Sequence, residues 1–196
     1  MRVYVPATIA TLRRLQADGE LAALGGTAFA LTPALRESYA AGDEEELSYA
    51  AMAEAGRASL RLLAAEQGDL ELGGSELEGS ELGGSDLGNG ELGDHHGGAS
   101  DVLARRAVIS ADVEGARLRP DLDAAVVRLS RPVQLSEVAA VHVDGAEAED
   151  AVRAAVRVID EADMGEHDAE FVLGEAADHE LAWYATQELP FLLELL

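Results

Sequence analysis

The residues whose types could do chemistry are concentrated near the C-terminal end of the chain. Nine acids and no arginine lie between residues 160 and 180, and two histidines are interspersed among them. On a helix, Glu175 and His179 would share one face, because residues four apart are neighbours on a helix surface. Imidazole and carboxylate groups together can bind a divalent metal ion or act as an acid/base pair. The candidate metal ligands in this run are His167, Asp168, Glu175 and His179.

A further candidate for acid/base chemistry is His142, which lies between Val141 and Val143 and close to Asp144. In a β-strand its side chain would point away from the two valines, since successive residues face opposite sides. None of the histidines has the His-Glu-x-x-His spacing of a zinc protease. Acids are also abundant throughout the chain. We therefore favour a structural or solvent-exposed role for His142, His167 and His179 over a ligand role.

The composition excludes several classes of function. The 196 residues include no cysteine, and all fourteen basic residues are arginine. Disulfides, thiolate chemistry, Schiff bases and the lysine of a phosphate-binding P-loop are therefore ruled out. The formal net charge of −24 opposes binding to nucleic acid, whose phosphates need clustered cations. There is no apolar run of the ~20 residues that a membrane helix needs. We expect a cytoplasmic protein without a cofactor.

A low-complexity segment interrupts the sequence at residues 68–101. Within it, residues 71–95 repeat every five residues, and each unit has a leucine behind an acid and ahead of Gly, Ser or Asn, except for the second unit, where Glu78 follows the leucine. The units resemble the pentapeptide-repeat family, which forms a square β-helix. Five units would make little more than one coil, and a solenoid needs several stacked coils. The glycine content and the repelling acids therefore favour a disordered insertion.

Helical and strand patterns alternate on both sides of this segment. Thr32-Pro33 is typical of a helix start, and Asp43 with Glu46 predicts a capping box at the start of a long helix. A second long helix is predicted after Asp144. Strands rich in Val and Ile, together with Arg2–Val5, predict a mixed sheet of five or six strands. The prediction is a single α+β domain over residues 1–196, with a sheet packed against two long helices.

The two flanks resemble a family of small acidic actinobacterial proteins of unknown function. Four stretches of sequence carry the resemblance: Met1 to Thr8, Phe29 to Arg36, Ala140 to Asp144, and Asp178 to Tyr184. The similarity covers residues 1–65 and 103–189 and omits the repeats. It implies a single domain in a bacterial cytoplasm, and it implies no activity.

Large apolar residues near the C-terminus are the candidates for an interaction surface. Trp183, Tyr184 and Phe191 could anchor a protein partner or a second copy of the chain. The apolar residues 189–196 are expected to pack on the domain itself or on a second copy, with Trp183 on the same surface. We therefore expect a non-catalytic interaction or regulatory protein. The alternative is a small metal-dependent or acid/base enzyme that uses His142, His167, Glu175 and His179.

Overall fold

The computed structural model describes residues 1–77 and 102–196, and these residues form an α+β structure. The strands are β1 (Arg2–Ala7), β2 (Glu20–Leu21), β3 (Thr27–Phe29), β4 (Ala107–Asp112), β5 (Arg117–Leu118), β6 (Val126–Arg128), β7 (Val133–Gln134), β8 (Val138–Val143) and β9 (Ala182–Ala185). The helices are α1 (Ile9–Asp18), α2 (Pro33–Ser38), α3 (Glu44–Leu77), α4 (Glu149–Arg157), α5 (Ile159–Asp163), α6 (His167–Ala177) and α7 (Leu189–Leu195).

Seven of the strands form one sheet in the order β5-β6-β3-β1-β4-β8-β9. Each neighbouring pair in this sheet is antiparallel. The first strand therefore lies in the middle, and its six residues pair with β4 from Arg2↔Asp112 to Ala7↔Ala107. Strands β2 and β7 form a separate two-stranded ribbon. The α+β prediction is confirmed, but the sheet is antiparallel where a mixed sheet was predicted, and it has one strand more.

One face of the sheet is covered by α1 and α7. The apolar side of α1, which includes Leu12 and Leu15, is completely buried against strand residues such as Val3 and Val141. Gly19 ends this helix with a φ of 73°, a left-handed conformation that glycine adopts without steric cost. The buried Leu189 and Leu192 of α7 complete the same core, so the C-terminal residues pack on the chain itself.

The opposite face is covered by α2 and the first half of α3. Both helix starts predicted from the sequence are confirmed. Thr32 accepts a hydrogen bond from the Leu35 backbone N–H at 3.0 Å, and Pro33 is the first helical residue. Asp43 and Glu46 form a reciprocal capping box, in which each side chain accepts a hydrogen bond from the other residue's backbone N–H at 2.9 and 3.0 Å. Ala51 and Ala55 then pack on the sheet.

The second half of α3 packs against a group of short helices, α4 to α6. Leu60 and Leu63 of α3 join an apolar cluster with Val152 of α4, Ile159 of α5 and Leu173 of α6. This group replaces the second long helix that the sequence predicted. The helical conformation is interrupted at Val158, whose φ and ψ of −120° and 12° are not helical. It is interrupted again at Gly165, which has a positive φ.

The long helix α3 also ends later than the sequence predicted. It runs to Leu77 and thus includes residues 68–77 of the segment for which disorder was predicted. The rest of that segment, with most of the five-residue repeats, lies outside the described residues. None of the helices in the described part of the chain is both long enough and apolar enough to cross a membrane.

Candidate functional site: the cleft between α3 and α6

A cleft of about 180 Å³ opens between α3 and α6. Its walls are mainly apolar and come from Met52 and Leu60 of α3, Leu173 of α6, and Leu181 just before β9. Polar groups are contributed by two arginines, one glutamate and one histidine, which are Arg57, Arg106, Glu170 and His179. The site therefore combines an apolar wall with a small number of convergent polar groups, which is the usual composition of a binding pocket.

The cleft exists because small residues occupy the positions where the two helices face each other. These are Ala53 and Gly56 on α3, and Gly174 and Ala177 on α6. A Cβ atom added at Gly174 would meet no atom within 4 Å, and one at Gly56 would lie 3.8 Å from Leu181 Cδ1. Larger side chains at these positions would fill the space between the helices.

A buried arginine forms part of the cleft wall. Arg106 is only 5% exposed, and its Nε and Nη2 donate to the two carboxylate oxygens of Asp144 at 2.9 and 2.8 Å. The backbone N–H of Arg106 donates to the same carboxylate at 2.8 Å, and Nη2 also donates to the His179 carbonyl at 2.7 Å. The pair therefore ties the start of β4 to the end of β8 and to the segment that leads into β9.

A second arginine joins the two helices beside the cleft. Arg57 of α3 donates to both carboxylate oxygens of Glu170 on α6, at 3.0 and 2.8 Å. This hydrogen bonding lowers the pKa of the Glu170 carboxyl and raises that of Arg57. Arg57 also lies 3.7 Å from Asp163, which pairs with Arg61. Positive and negative charges are thus balanced within the cleft and at its edge.

The structure separates the histidines and acids that the sequence grouped together. His167, Asp168 and Glu175 are all solvent-exposed on α6. The helix ends at Ala177, so the predicted helical face shared by Glu175 and His179 does not form. Only His179 reaches the cleft. Among the side chains of residues 1–69 and 102–196, no group of three or more His, Asp or Glu is arranged to hold a metal ion.

His142 lies on β8 and pairs with a serine instead of with the other candidate residues. Its Nε2 is 2.9 Å from the Oγ of Ser110 on β4, and the direction of this hydrogen bond depends on the imidazole tautomer. Burial, with a contribution from the charge on Arg2, lowers the pKa of His142. A serine beside a neutral histidine can be a nucleophile and its base. Ser110, however, is only 2% exposed, which leaves no access for a substrate.

The three aromatic candidates for an interaction surface occupy different environments. Trp183 is 61% exposed on β9, at the edge of the sheet, whereas Tyr184 packs on the core beneath α1 and α7. Successive strand residues face opposite sides of a sheet, so Trp183 does not lie on the surface that carries the C-terminal helix. The prediction that Trp183 shares that surface is therefore wrong. Phe191 is exposed on α7, and Phe171, which the sequence did not single out, is exposed on α6.

Several residues of the site were not singled out from the sequence. Arg106 and Asp144 lie 38 residues apart, and the sequence had indicated Asp144 only as a neighbour of His142 and as the residue before the second long helix. One signal was available, because an arginine inside the apolar stretch 104–111 must find a partner if that stretch is a buried strand. Gly56 and Gly174 also carried a signal, since glycine inside a helix is unfavourable unless packing or function requires it.

The fold and the cleft define a small α+β protein with a cleft between two of its helices. The chain matches the family of unknown function DUF6912 over residues 1–193 and belongs to that family. The resemblance to an uncharacterised family, first carried by short stretches in the two flanks, is thereby confirmed. A comparison with curated proteins and a comparison with solved structures each gave no match.

Proposed function

We propose that this protein is a non-catalytic binding protein whose cleft between α3 and α6 takes an apolar side chain of a basic polypeptide partner. The observation that carries the proposal is the apolar cleft itself, which small residues on both helices keep open. We also propose that the protein works in the reducing cytoplasm, where a chain without cysteine has no disulfide to lose.

The size of the cleft supports a single anchoring side chain over a small-molecule substrate or cofactor. Pockets for drug-sized ligands enclose roughly 300–1,000 Å³, whereas this cleft encloses about 180 Å³. Protein interfaces commonly place one large anchoring residue into a desolvated pocket of this kind and surround it with weaker contacts. The exposed Tyr49, which lines the cleft, offers an aromatic contact to the same partner.

The charge around the cleft supports a basic partner. One wall of the cleft is formed by α6, which lies within residues 160–180, and this stretch contains nine acids and no arginine. Two of the nine, Asp163 and Glu170, pair with Arg61 and Arg57, and the stretch as a whole remains acidic. The net charge of −24 makes a second copy of this chain, or a nucleic acid, an electrostatically unfavourable partner. Arginine or lysine residues flanking the anchoring side chain would instead be attracted to this surface.

Gly174→Leu is the variant that tests the proposal. The leucine would project into the cleft from an open position, and it would also suit a helix better than glycine does. Gly68→Leu is the matched control, because Gly68 also lies on a helix, a Cβ atom added there would meet no atom within 4 Å, and the residue is not part of the cleft lining.

Selection from a random peptide-display library provides the measurement. We expect wild-type protein to enrich peptides that combine one large apolar residue with arginine or lysine. These peptides should bind the Gly68→Leu protein normally and the Gly174→Leu protein at least about tenfold more weakly. Failure to enrich such peptides, or equal binding to both variants, would contradict the proposal. Turnover of a substrate that is lost on substitution of His142, His167, Glu175 or His179 would favour an enzyme instead.

A further inference from the structure

We infer that Arg106 recognises a backbone carbonyl group of the bound polypeptide, next to the side chain that enters the cleft. The inference rests on the proposed function, and it adds the polar contact that fixes the position and direction of the partner. Three features of Arg106 support the inference. Its guanidinium is held in a fixed position, its Nη1 makes no hydrogen bond to a described residue, and its charge is balanced by Asp144.

The guanidinium of Arg106 is held rigidly by its protein partners. Nε and Nη2 are both bonded to Asp144, and Nη2 is shared with the His179 carbonyl. These bonds fix the plane of the guanidinium and therefore the direction of its third nitrogen, Nη1. A donor held in place in this way loses little conformational entropy when a ligand binds.

Nη1 is the part of Arg106 that remains available. It makes no hydrogen bond to any residue that the structure describes, although Nε and Nη2 both do. No fully buried side-chain nitrogen or oxygen among the described residues lacks a partner. Nη1 is therefore not fully buried, and because Arg106 lines the cleft, the cleft is where a ligand can reach it.

The balanced charge of the cleft favours a neutral acceptor over an anion. Asp144 neutralises Arg106, and Glu170 neutralises Arg57. A carboxylate or phosphate would add an uncompensated negative charge to a partly buried site in a strongly acidic protein, which is unfavourable. A peptide carbonyl accepts a hydrogen bond without adding charge. It also lies close to every side chain of a polypeptide, so one segment can supply both the apolar anchor and the acceptor.

The test uses a peptide recovered by the selection described above, with its peptide groups replaced one at a time. A trans-alkene in place of the peptide group removes the carbonyl oxygen and the N–H, and an ester at the same position removes only the N–H. We expect the alkene at one position beside the anchor to weaken binding about tenfold or more, as befits a hydrogen bond to a charged donor. The ester at that position should bind within about threefold of the unmodified peptide.

Arg106 itself is tested by two measurements. In nitrogen-15 NMR of the full-length protein, binding of the unmodified peptide should slow hydrogen exchange at the Arg106 guanidinium, and binding of the alkene peptide should not. Arg106→Lys keeps the positive charge opposite Asp144 but has no counterpart of Nη1. If this variant folds, it should bind the unmodified peptide and the alkene peptide equally. The NMR measurement decides the question if Arg106→Lys does not fold.

The two proposals fail in different ways. If peptides bind in the cleft but no alkene replacement lowers their affinity, the inference of carbonyl recognition is wrong, and the proposal that the cleft binds a polypeptide is unaffected. If peptides containing a free carboxylate are preferred over amides, Arg106 recognises an anion and the charge argument is wrong. If no selected peptide is sensitive to Gly174→Leu, the proposed function fails before Arg106 is in question.

Discussion

The two sides of the sheet bury apolar surface in different ways. Beneath α1 and α7 the contacts are made by large aliphatic side chains such as Leu12, Leu15 and Leu189, each completely buried. Between α3 and the α4–α6 group, alanine is the most frequent buried residue, and the arginine–carboxylate pairs Arg57–Glu170 and Arg61–Asp163 join the helices. The first side is closed by its own packing. The second leaves a cleft, because alanine and glycine do not fill the space between two helices.

This difference indicates where the protein can accept substitutions and where a partner could bind to it. A filled core responds to the loss of a side chain with a cavity, which is costly. The side with the cleft has room for additional atoms, and the buried pair Arg106–Asp144 joins the sheet to the segment beside the cleft. The following predictions test this contrast.

The largest effect is expected for Asp144→Ala. The substitution would leave the Arg106 guanidinium buried without its counter-charge, and breaking a buried pair in this way costs about 3–5 kcal/mol. The matched control is Asp112→Ala, which removes the partner of Arg2 from an exposed pair and should cost less than about 1 kcal/mol. Urea denaturation measures both. Equal effects would mean that Arg106 does not depend on Asp144.

A similar but somewhat smaller effect is expected for Leu189→Ala on the opposite side of the sheet. Leu189 is fully buried beneath the sheet, so its truncation should lower the free energy of unfolding by about 2–5 kcal/mol. Leu195, on the same helix, is 86% exposed, and Leu195→Ala should change stability by no more than about 0.5 kcal/mol. If the two variants behaved alike in urea denaturation, helix α7 would not be docked as described.

A gain in stability is expected when the cleft glycines are replaced by alanine. Gly174→Ala and Gly56→Ala should each raise the free energy of unfolding by roughly 0.5–1 kcal/mol, because alanine is the better helix former and a Cβ fits at both positions. Gly19→Ala is the contrasting control, since its φ of 73° makes any Cβ unfavourable. Thermal unfolding would show whether the two helix glycines and the capping glycine change stability in opposite directions.

The smallest effect concerns pH. Burial holds the pKa of His142 below its ordinary value of 6.5 in the folded protein, so the unfolded chain binds a proton more readily. This contribution to stability is complete above about pH 6.5 and is lost as the pH falls through the folded pKa. As the pH is lowered from 7 to 5, calorimetry should show a smaller loss of stability for His142→Gln than for the wild-type protein. Parallel curves would show that His142 does not titrate differently on folding.

The sequence predicted local features better than contacts between distant residues. The starts of α2 and α3 followed from capping chemistry and from the position of Pro33, which act over four or five residues. The break after Arg157 could not be predicted in this way. The apolar line of residues 148–159 continues a helical pattern, yet the chain leaves helical geometry at Val158.

The candidate site was predicted poorly for a related reason. His167, Glu175 and His179 are close in sequence, and they were selected for the acidic composition of this stretch and for the four-residue spacing of Glu175 and His179. Their placement depends on where α6 ends, and the helix ends at Ala177, before it reaches His179. Arg106 and Asp144 form a site only because β4 and β8 pair in one particular register. Such a register is a property of the whole sheet.

The central position of β1 has a consequence for synthesis of the protein. Arg2 and its partner Asp112 on β4 are 110 residues apart. At about 5–20 residues per second, the ribosome needs roughly 5–20 s to deliver β4 after β1 has been made. During that interval Val3 and Val5 have only nearby segments, such as α1 and β3, to cover them. The nascent chain therefore carries an incompletely paired apolar strand during that interval, in which a chaperone that binds extended apolar segments would meet it.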